Sequence, residues 1–492
     1  MPRTHPSGLI FAQVPNETAE WISWKVRSPA ADSFLRQDTT GLSVEGTAAP
    51  VPSRRLSARL CLFHARNSAG LNVLPNTDTP MKTKRSTGFA GRIATAVLFS
   101  VCLLGARAED GWKVGLDLTL EGSAGISGGA KRGQALDGLA LVHADWEQPE
   151  KSSDGLTYTG HVSALALAGK GPTERFLGDF LAASNIEGYP SARLYAWWLE
   201  AHRHDWSLRG GVLVADEEFA GTDAGGNFFN SAFGWPAFIS ANTVNTGPAV
   251  YVAAPGLRLE RKWGETAAWR IGVYDGDSFD SPAGDPAATR HGLHYQIGGD
   301  QGWFVISEAT FSPGNKATRL KMGAWLHTAT FADVRDDAFG QPFAISGNDP
   351  RQYSSNHGAY TAIEHTLAGE PGKAGNVEVF LRGGFSPSDR NAVSWAIDAG
   401  VGWTGPIPGR PDDTVALGIA RAHFSSRFSD SARLADPSSP ALDFEQVLEA
   451  SYTLKLSEHL TLQPDLQFIR HPGGSSAQAD ACVFLLRFNA TY

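Results

Sequence analysis

The sequence predicts an all-β protein: a transmembrane antiparallel barrel of about sixteen strands, with short periplasmic turns and long external loops. Three observations predict it. The chain ends on a strand with two different faces. Many further segments upstream are of the same kind. The links between them alternate between short and long.

The terminal strand shows the pattern most clearly. Cys482, Phe484, Leu486, Phe488, Ala490 and Tyr492 are apolar or aromatic, while Val483, Leu485, Arg487, Asn489 and Thr491 turn polar toward the end. A period of two marks a strand. A soluble sheet rarely ends on such a strand, because it exposes an apolar face and an unpaired edge. In a membrane barrel the apolar face meets lipid and the edge pairs with the first strand.

Composition bounds the alternatives. The chain has 492 residues, 54 of them glycine and 14 tryptophan, and charged residues make up only 19%. A helical membrane protein is excluded, because no run reaches the length of a spanning helix. The formal net charge of −9 argues against a nucleic-acid partner. Of Cys61, Cys102 and Cys482, only the last lies beyond the leader described next. One cysteine makes neither an intrachain disulfide nor a metal cluster.

Residues 1–80 show no sustained periodicity. Met81 then precedes Lys82, Lys84, Arg85 and Arg92, an apolar run from Ile93 to Leu104, and Ala106-Arg107-Ala108. These are the parts of a secretory signal peptide, with cleavage expected after Ala108. Such a leader works at an N-terminus, so translation is expected to begin at Met81. The expected organisation is an upstream segment at 1–80, a signal peptide at 81–108 and a barrel at 109–492.

In the remaining chain, Trp112, Val114, Leu116, Leu118 and Leu120 alternate with Lys113, Gly115, Asp117, Thr119 and Glu121. Further strands are expected at 139–147, 156–167, 191–201, 206–215, 248–261, 267–275, 303–312 and 318–329. The rest fall at 358–367, 376–386, 392–405, 414–424, 443–455, 459–470 and 481–492. The long links are 122–138, 168–190, 216–247, 276–302, 330–357, 425–442 and 471–480. A further strand pair within 276–302, with His294 to Gly298 as one member, would raise the number to eighteen. Charges keep to one parity: Lys321, Trp325 and His327 alternate with Leu320, Met322, Ala324 and Leu326. A charge on the lipid face costs about 2–4 kcal/mol near the midplane, while the watery lumen imposes no such cost.

Several stretches now resemble the carbohydrate-selective porin (OprB) family. They include Asn185-Ile186-Glu187-Gly188, Arg193-Leu194-Tyr195 and Ala215-Asp216-Glu217-Glu218-Phe219. Further along come Phe228-Phe229-Asn230-Ser231, Gly272-Val273-Tyr274-Asp275-Gly276, Gly383-Gly384-Phe385-Ser386-Pro387 and Leu462-Gln463-Pro464-Asp465-Leu466-Gln467. The resemblance implies facilitated diffusion of monosaccharides such as glucose across an outer membrane. A general, non-selective porin is the alternative.

A sugar channel needs hydrogen-bonding side chains and flat apolar rings at its narrowest point. It must also bind weakly enough to release. On parity, the candidate wall residues are Arg193, Glu200, Trp325, Glu364, Arg382, Asp398, Glu449, Asp465, Gln467 and Arg487. The bland reading of each is a solvated wall charge paired across strands. The long loop 216–247, through Phe228, Phe229 and Asn230, is the candidate to fold inward; packing on the rim is its alternative.

No enzyme is expected. His202, His204 and Asp205 fall in a tight turn, and Asp275, Asp277, Asp280 and Asp285 lack the spacing of a calcium loop. No nucleophile elbow or phosphate loop is present. No cofactor is expected. The expected partners are small sugars, outer-membrane lipid and the barrel-assembly machinery, which would read the strand ending at Tyr492. A homo-oligomer is left open.

Overall fold

The computed structural model describes residues 11–12, 22–23 and 111–492, apart from 150–154, 250, 282–283 and 315–316. The predicted leader at 81–108 and nearly all of the upstream segment lie outside the described residues. Phe11–Ala12 and Ile22–Ser23 form a two-residue ladder.

Sixteen strands close into one antiparallel barrel. They are β1 Trp112–Ser127, β2 Gln134–Glu147, β3 Leu156–Ala168, β4 Ala192–Arg203, β5 Trp206–Leu213, β6 Ala254–Trp263, β7 Ala267–Asp275 and β8 Trp303–Phe311. The second half is β9 Thr318–His327, β10 Asn356–Ala368, β11 Val377–Phe385, β12 Val393–Thr404, β13 Thr414–Phe424, β14 Phe444–Lys455, β15 Leu460–Arg470 and β16 Ala481–Thr491. Each pairs with its chain neighbour, and β16 returns to pair with β1. Leu116 and Tyr492 exchange both backbone hydrogen bonds, at 3.0 and 2.9 Å, so the last residue closes the wall. Pro464 has no N–H to give, and the β14–β15 ladder is interrupted beside it.

The faces sort as the parity predicts. Met322, Leu326, Leu381, Ile397, Leu417, Leu448, Leu466 and Phe484 are exposed on the outside. Trp325, His327, Phe380, Arg382, Asp398, Gln463, Asp465 and Gln467 are buried within. Exposed aromatics ring the short-turn end at Trp112, Trp206, Trp263, Phe311, Trp403 and Tyr492, and the other end at Trp303, Phe385 and Trp395. Such girdles mark the two membrane interfaces.

Two sequence expectations are corrected, and one alternative is settled. The loop expected at 122–138 shrinks to 128–133, because β1 and β2 both extend further. The strand expected from 248 begins at Ala254, because Tyr251 has a φ of 67° that no strand accepts. No strand lies among the described residues of 276–302, so the barrel has sixteen strands and not eighteen. The extra pairing occurs elsewhere: Phe331–Asp337 and Pro350–Tyr353 form a hairpin in the β9–β10 link, outside the barrel wall.

A sixteen-stranded wall encloses more space than its own side chains fill. Here two links, 169–191 and 214–253, turn inward and supply a core inside the barrel. Phe176, Phe228, Phe229, Phe233 and Phe238 are each at most 2% exposed. Glycine makes room for them. A Cβ on Gly384 would stand 2.6 Å from the Phe238 ring, and one on Gly418 would stand 2.8 Å from both Phe228 and Phe233. Burying each ring stabilises the folded loop by about 2–3 kcal/mol.

Candidate functional site

A loop taken out of water must find partners for its backbone groups. Wall side chains provide them. Glu308 accepts from the Ala220 amide at 2.8 Å, and Glu364 accepts from the Asp223 amide at 2.5 Å. Glu449 accepts from the amides of Phe229 and Asn230, the second at 3.1 Å. Arg382 does the converse. Its guanidinium donates to the carbonyls of Ala220 at 2.5 Å, Ala232 at 2.7 Å and Gly234 at 2.9 Å, and pairs with Asp398 at 3.0 Å. Gln467 donates to the Ala183 carbonyl at 2.8 Å and receives Asn230 at 3.3 Å. Arg487 pairs with Glu121 at 2.6 Å, reaches Asn185 at 2.7 Å and lies 3.8 Å above the Phe229 ring.

The loop therefore lies mainly against the wall of β8 to β16, and its two ends reach β3 to β6 through Glu218 and Tyr251. The opposite wall, β2 to β5, stays more open. There a stack of flat groups crosses four strands. The His143 and His161 rings are 6.3 Å apart, His161 and Trp198 are 5.4 Å apart, and the Arg209 guanidinium sits 3.7 Å over Trp198. Asp145 receives His161 at 2.7 Å. Arg209 and Arg258 each bridge Glu200 on the wall and Glu218 on the loop, at 2.5–3.0 Å. A cavity of about 340 Å³ opens at the short-turn end of this face, lined by Lys113, Asp145, Thr159, Trp198, His202 and Arg209. That lies at the small end of the roughly 300–1,000 Å³ typical of ligand pockets. On the loop, burial and the neighbouring Asp216 push the Glu217 carboxyl up to about 7, against the pull of His161 and Arg209.

The residues singled out from the sequence divide by environment. All ten wall residues face inward and are buried. Glu364, Arg382, Glu449, Gln467 and Arg487 end on the inward links; Asp398 and Asp465 sit beside them, on Arg382 and Gln467. Glu200 belongs to the arginine network of the open face. Arg193 bonds Ser191 at 2.7 Å and the Tyr251 carbonyl at 3.2 Å. The Trp325 indole packs 6.4 Å from Phe304 with its N–H unpartnered. Phe228, Phe229 and Asn230 lie inside the barrel and not on its rim. The list of wall residues omits Arg209 beside Leu208, and the pair His143 and His161, which are half-buried on the open face. The alternation that carries them is present in β2, β3 and β5, so the signal was available.

Among the described residues, no group of three or more His, Cys, Asp or Glu side chains is placed to hold a metal ion. The loop aspartates instead close turns: Asp277 accepts from the amides of Phe279 and Ser281.

A closed barrel with an apolar outer belt, two aromatic girdles and a lumen narrowed from within is an outer-membrane diffusion channel, a porin. Residues 141–492 match the model of the carbohydrate-selective porin, OprB family, and the chain belongs to that family. It is 24% identical to Porin B of Pseudomonas aeruginosa over 413 residues, which covers 78% of this chain and 88% of that protein. Its fold superimposes on the high-pH structure of Pseudomonas putida OprB with a TM-score of 0.69 at 19% identity, over 82% of this chain and 98% of the other. The protein is a carbohydrate porin of the outer membrane.

Proposed function

We propose that single sugar rings such as glucose are the solutes, and that they pass along the β2–β5 face. The observation that carries this is the asymmetry of the lumen. The middle of the inward loop covers one wall, and only its ends touch the other. That other wall presents Arg209, His161 and Asp145 beside the rim of the Trp198 ring and the outer face of His143. A sugar needs that mixture: its hydroxyls both donate and accept, and its ring carbons favour flat apolar contact. Diffusion needs no bond-breaking step and no cofactor, and the reading assigns neither. The leader at 81–108 is removed on export, and the strand ending at Tyr492 is the one that assembly machinery and lipid meet.

The test is single-channel conductance in a planar bilayer, titrated with glucose. Glucose is expected to block the wild-type channel reversibly. Arg209→Ala removes a charged hydrogen-bond donor from the path and should raise the half-blocking concentration by about tenfold or more. Stable channels that ignore glucose, but pass amino acids of equal size, would favour a general porin.

A further inference from the structure

We propose that Asp179 and Glu187 are positioning residues for permeation: they hold protons that keep the inward link 169–191 seated, and the pore loosens as those protons leave. This applies whatever solute passes.

Four carboxyl groups meet where this link folds into the barrel: Asp137 on β2, Glu445 on β14, and Asp179 and Glu187 on the link itself. Asp137, Asp179 and Glu445 are at most 2% exposed. Neither oxygen of Asp179 has a hydrogen-bond partner, and one oxygen of Asp137 is equally bare. The Thr173 hydroxyl and the Ala183 backbone stand near Asp179 without closing a bond to it. The backbone is drawn tight around the group. A Cβ on Gly169 would lie 1.9 Å from Asp137, and one on Gly171 would lie 2.2 Å from Glu187. Gly171 donates its amide to Asp137 at 2.8 Å, and Thr173 donates amide and hydroxyl to Glu187 at 3.3 and 3.0 Å.

Buried carboxylates are normally paired with cations, bound to metal or protonated. Among the described residues, no lysine, arginine or histidine forms an ion pair with any of the four. Arg175 acts on Asp137 only from a distance, and Glu121 opposes it. No metal group is formed. Glu445 has the amides of Phe180, Leu181 and Gly473 as donors, but Asp179 has none, and for it protons are what remains. Consistent with this, burial pushes the Asp179 carboxyl above its ordinary range, and burial with the Asp179 charge does the same to Glu187.

The link is coupled to the pore. The Asn185 amide donates to the Phe229 carbonyl at 2.6 Å, and Ser231 donates to the Ala182 carbonyl at 2.9 Å. Gln467 and Arg487 hold Ala183 and Asn185. The sign follows from linkage. The seated link binds more protons than a released one, whose carboxyls return to ordinary values. Its hold is complete in acid and weakens as pH rises through the raised values.

The experiment is single-channel recording of the purified porin from about pH 5 to about pH 9, where ordinary carboxylates are already ionised. Wild type is expected to gain conductance and current noise as pH rises. The double variant Asp179→Asn with Glu187→Gln keeps neutral isosteres and should show a markedly smaller rise, because only Asp137, Glu217 and Glu445 are left to titrate. Glu217 titrates in both proteins, so its contribution is common to them. A double variant that follows the wild-type profile overturns the proposal. Hydrogen exchange on wild type gives an answer that does not depend on the variant folding. Protection of the 179–191 amides, corrected for intrinsic exchange, should fall above the raised values by up to about tenfold per pH unit for each proton lost. Protection independent of pH overturns the proposal as well.

Discussion

Arg382→Met is expected to release the inward loop and widen the pore. Arg382 is fully buried, and its guanidinium holds three loop carbonyls and Asp398 at once. Methionine keeps the unbranched apolar stem but supplies none of the donors. Asp398 would then be left buried without a partner, which costs about 3–5 kcal/mol. The carbonyls of Ala220, Ala232 and Gly234 would have to find water, and they can do so only if the loop leaves the wall. Single-channel conductance should rise and sugar block should fall. Thermal unfolding should start at lower temperature. Adding Asp398→Leu removes the stranded charge. It should restore much of the stability while the conductance stays high, because the loop carbonyls remain unclaimed. Unchanged conductance in a folded Arg382→Met porin would mean that Phe228, Phe229 and their neighbours hold the loop by packing alone.

The same residue shows how far the sequence can be read. Parity places Arg382 on the inner face, because Leu381 and Gly383 flank it and Leu381 must meet lipid. Parity cannot say what fills the space in front of it. That depends on the 214–253 link, whose path is set by contacts hundreds of residues apart, such as Glu449 with Phe229. The sequence shows the loop to be unusually apolar, and therefore a candidate for burial, but not which wall it will meet. The result is that most of the ten wall residues serve the loop, while Arg209, His143 and His161 line the half-open face across from it. The strands were legible wherever large apolar residues alternate. They were not legible at Gly122 to Gly125, where small residues carry no pattern. There the register comes from β16, with Phe484 opposite Ala124, and from Phe176 packing on Gly125. The segment at His294 to Gly298 shows the opposite error: its composition permits a strand, but no partner edge exists in a closed barrel.

Leu466 and Gln467 make the sharpest test of that two-residue logic, because they are neighbours with opposite surroundings. Leu466 lies near the middle of β15, exposed on the lipid side and paired with Ala450 and Phe484. Gln467 is fully buried and joins Ala183 to Asn230. Leu466→Arg should destabilise the barrel by about 2–4 kcal/mol, the cost of a charge near the bilayer midplane. It should leave the conductance of those channels that do form unchanged, because nothing inside the lumen moves. Gln467→Leu should cost less, about 1–3 kcal/mol for groups left unsatisfied, but it should change conductance and sugar block, because the seam between the two inward links passes through it. Unfolding in detergent or lipid measures the first effect, and bilayer recording measures the second. If Leu466→Arg altered the pore and Gln467→Leu did not, the two faces would be assigned the wrong way round, and every inward residue named above would have to move to the lipid side. The dissociation of stability from conductance across one peptide bond is therefore a test of the whole wall, since the period of two that separates these residues also places Arg382 and Glu449 inside.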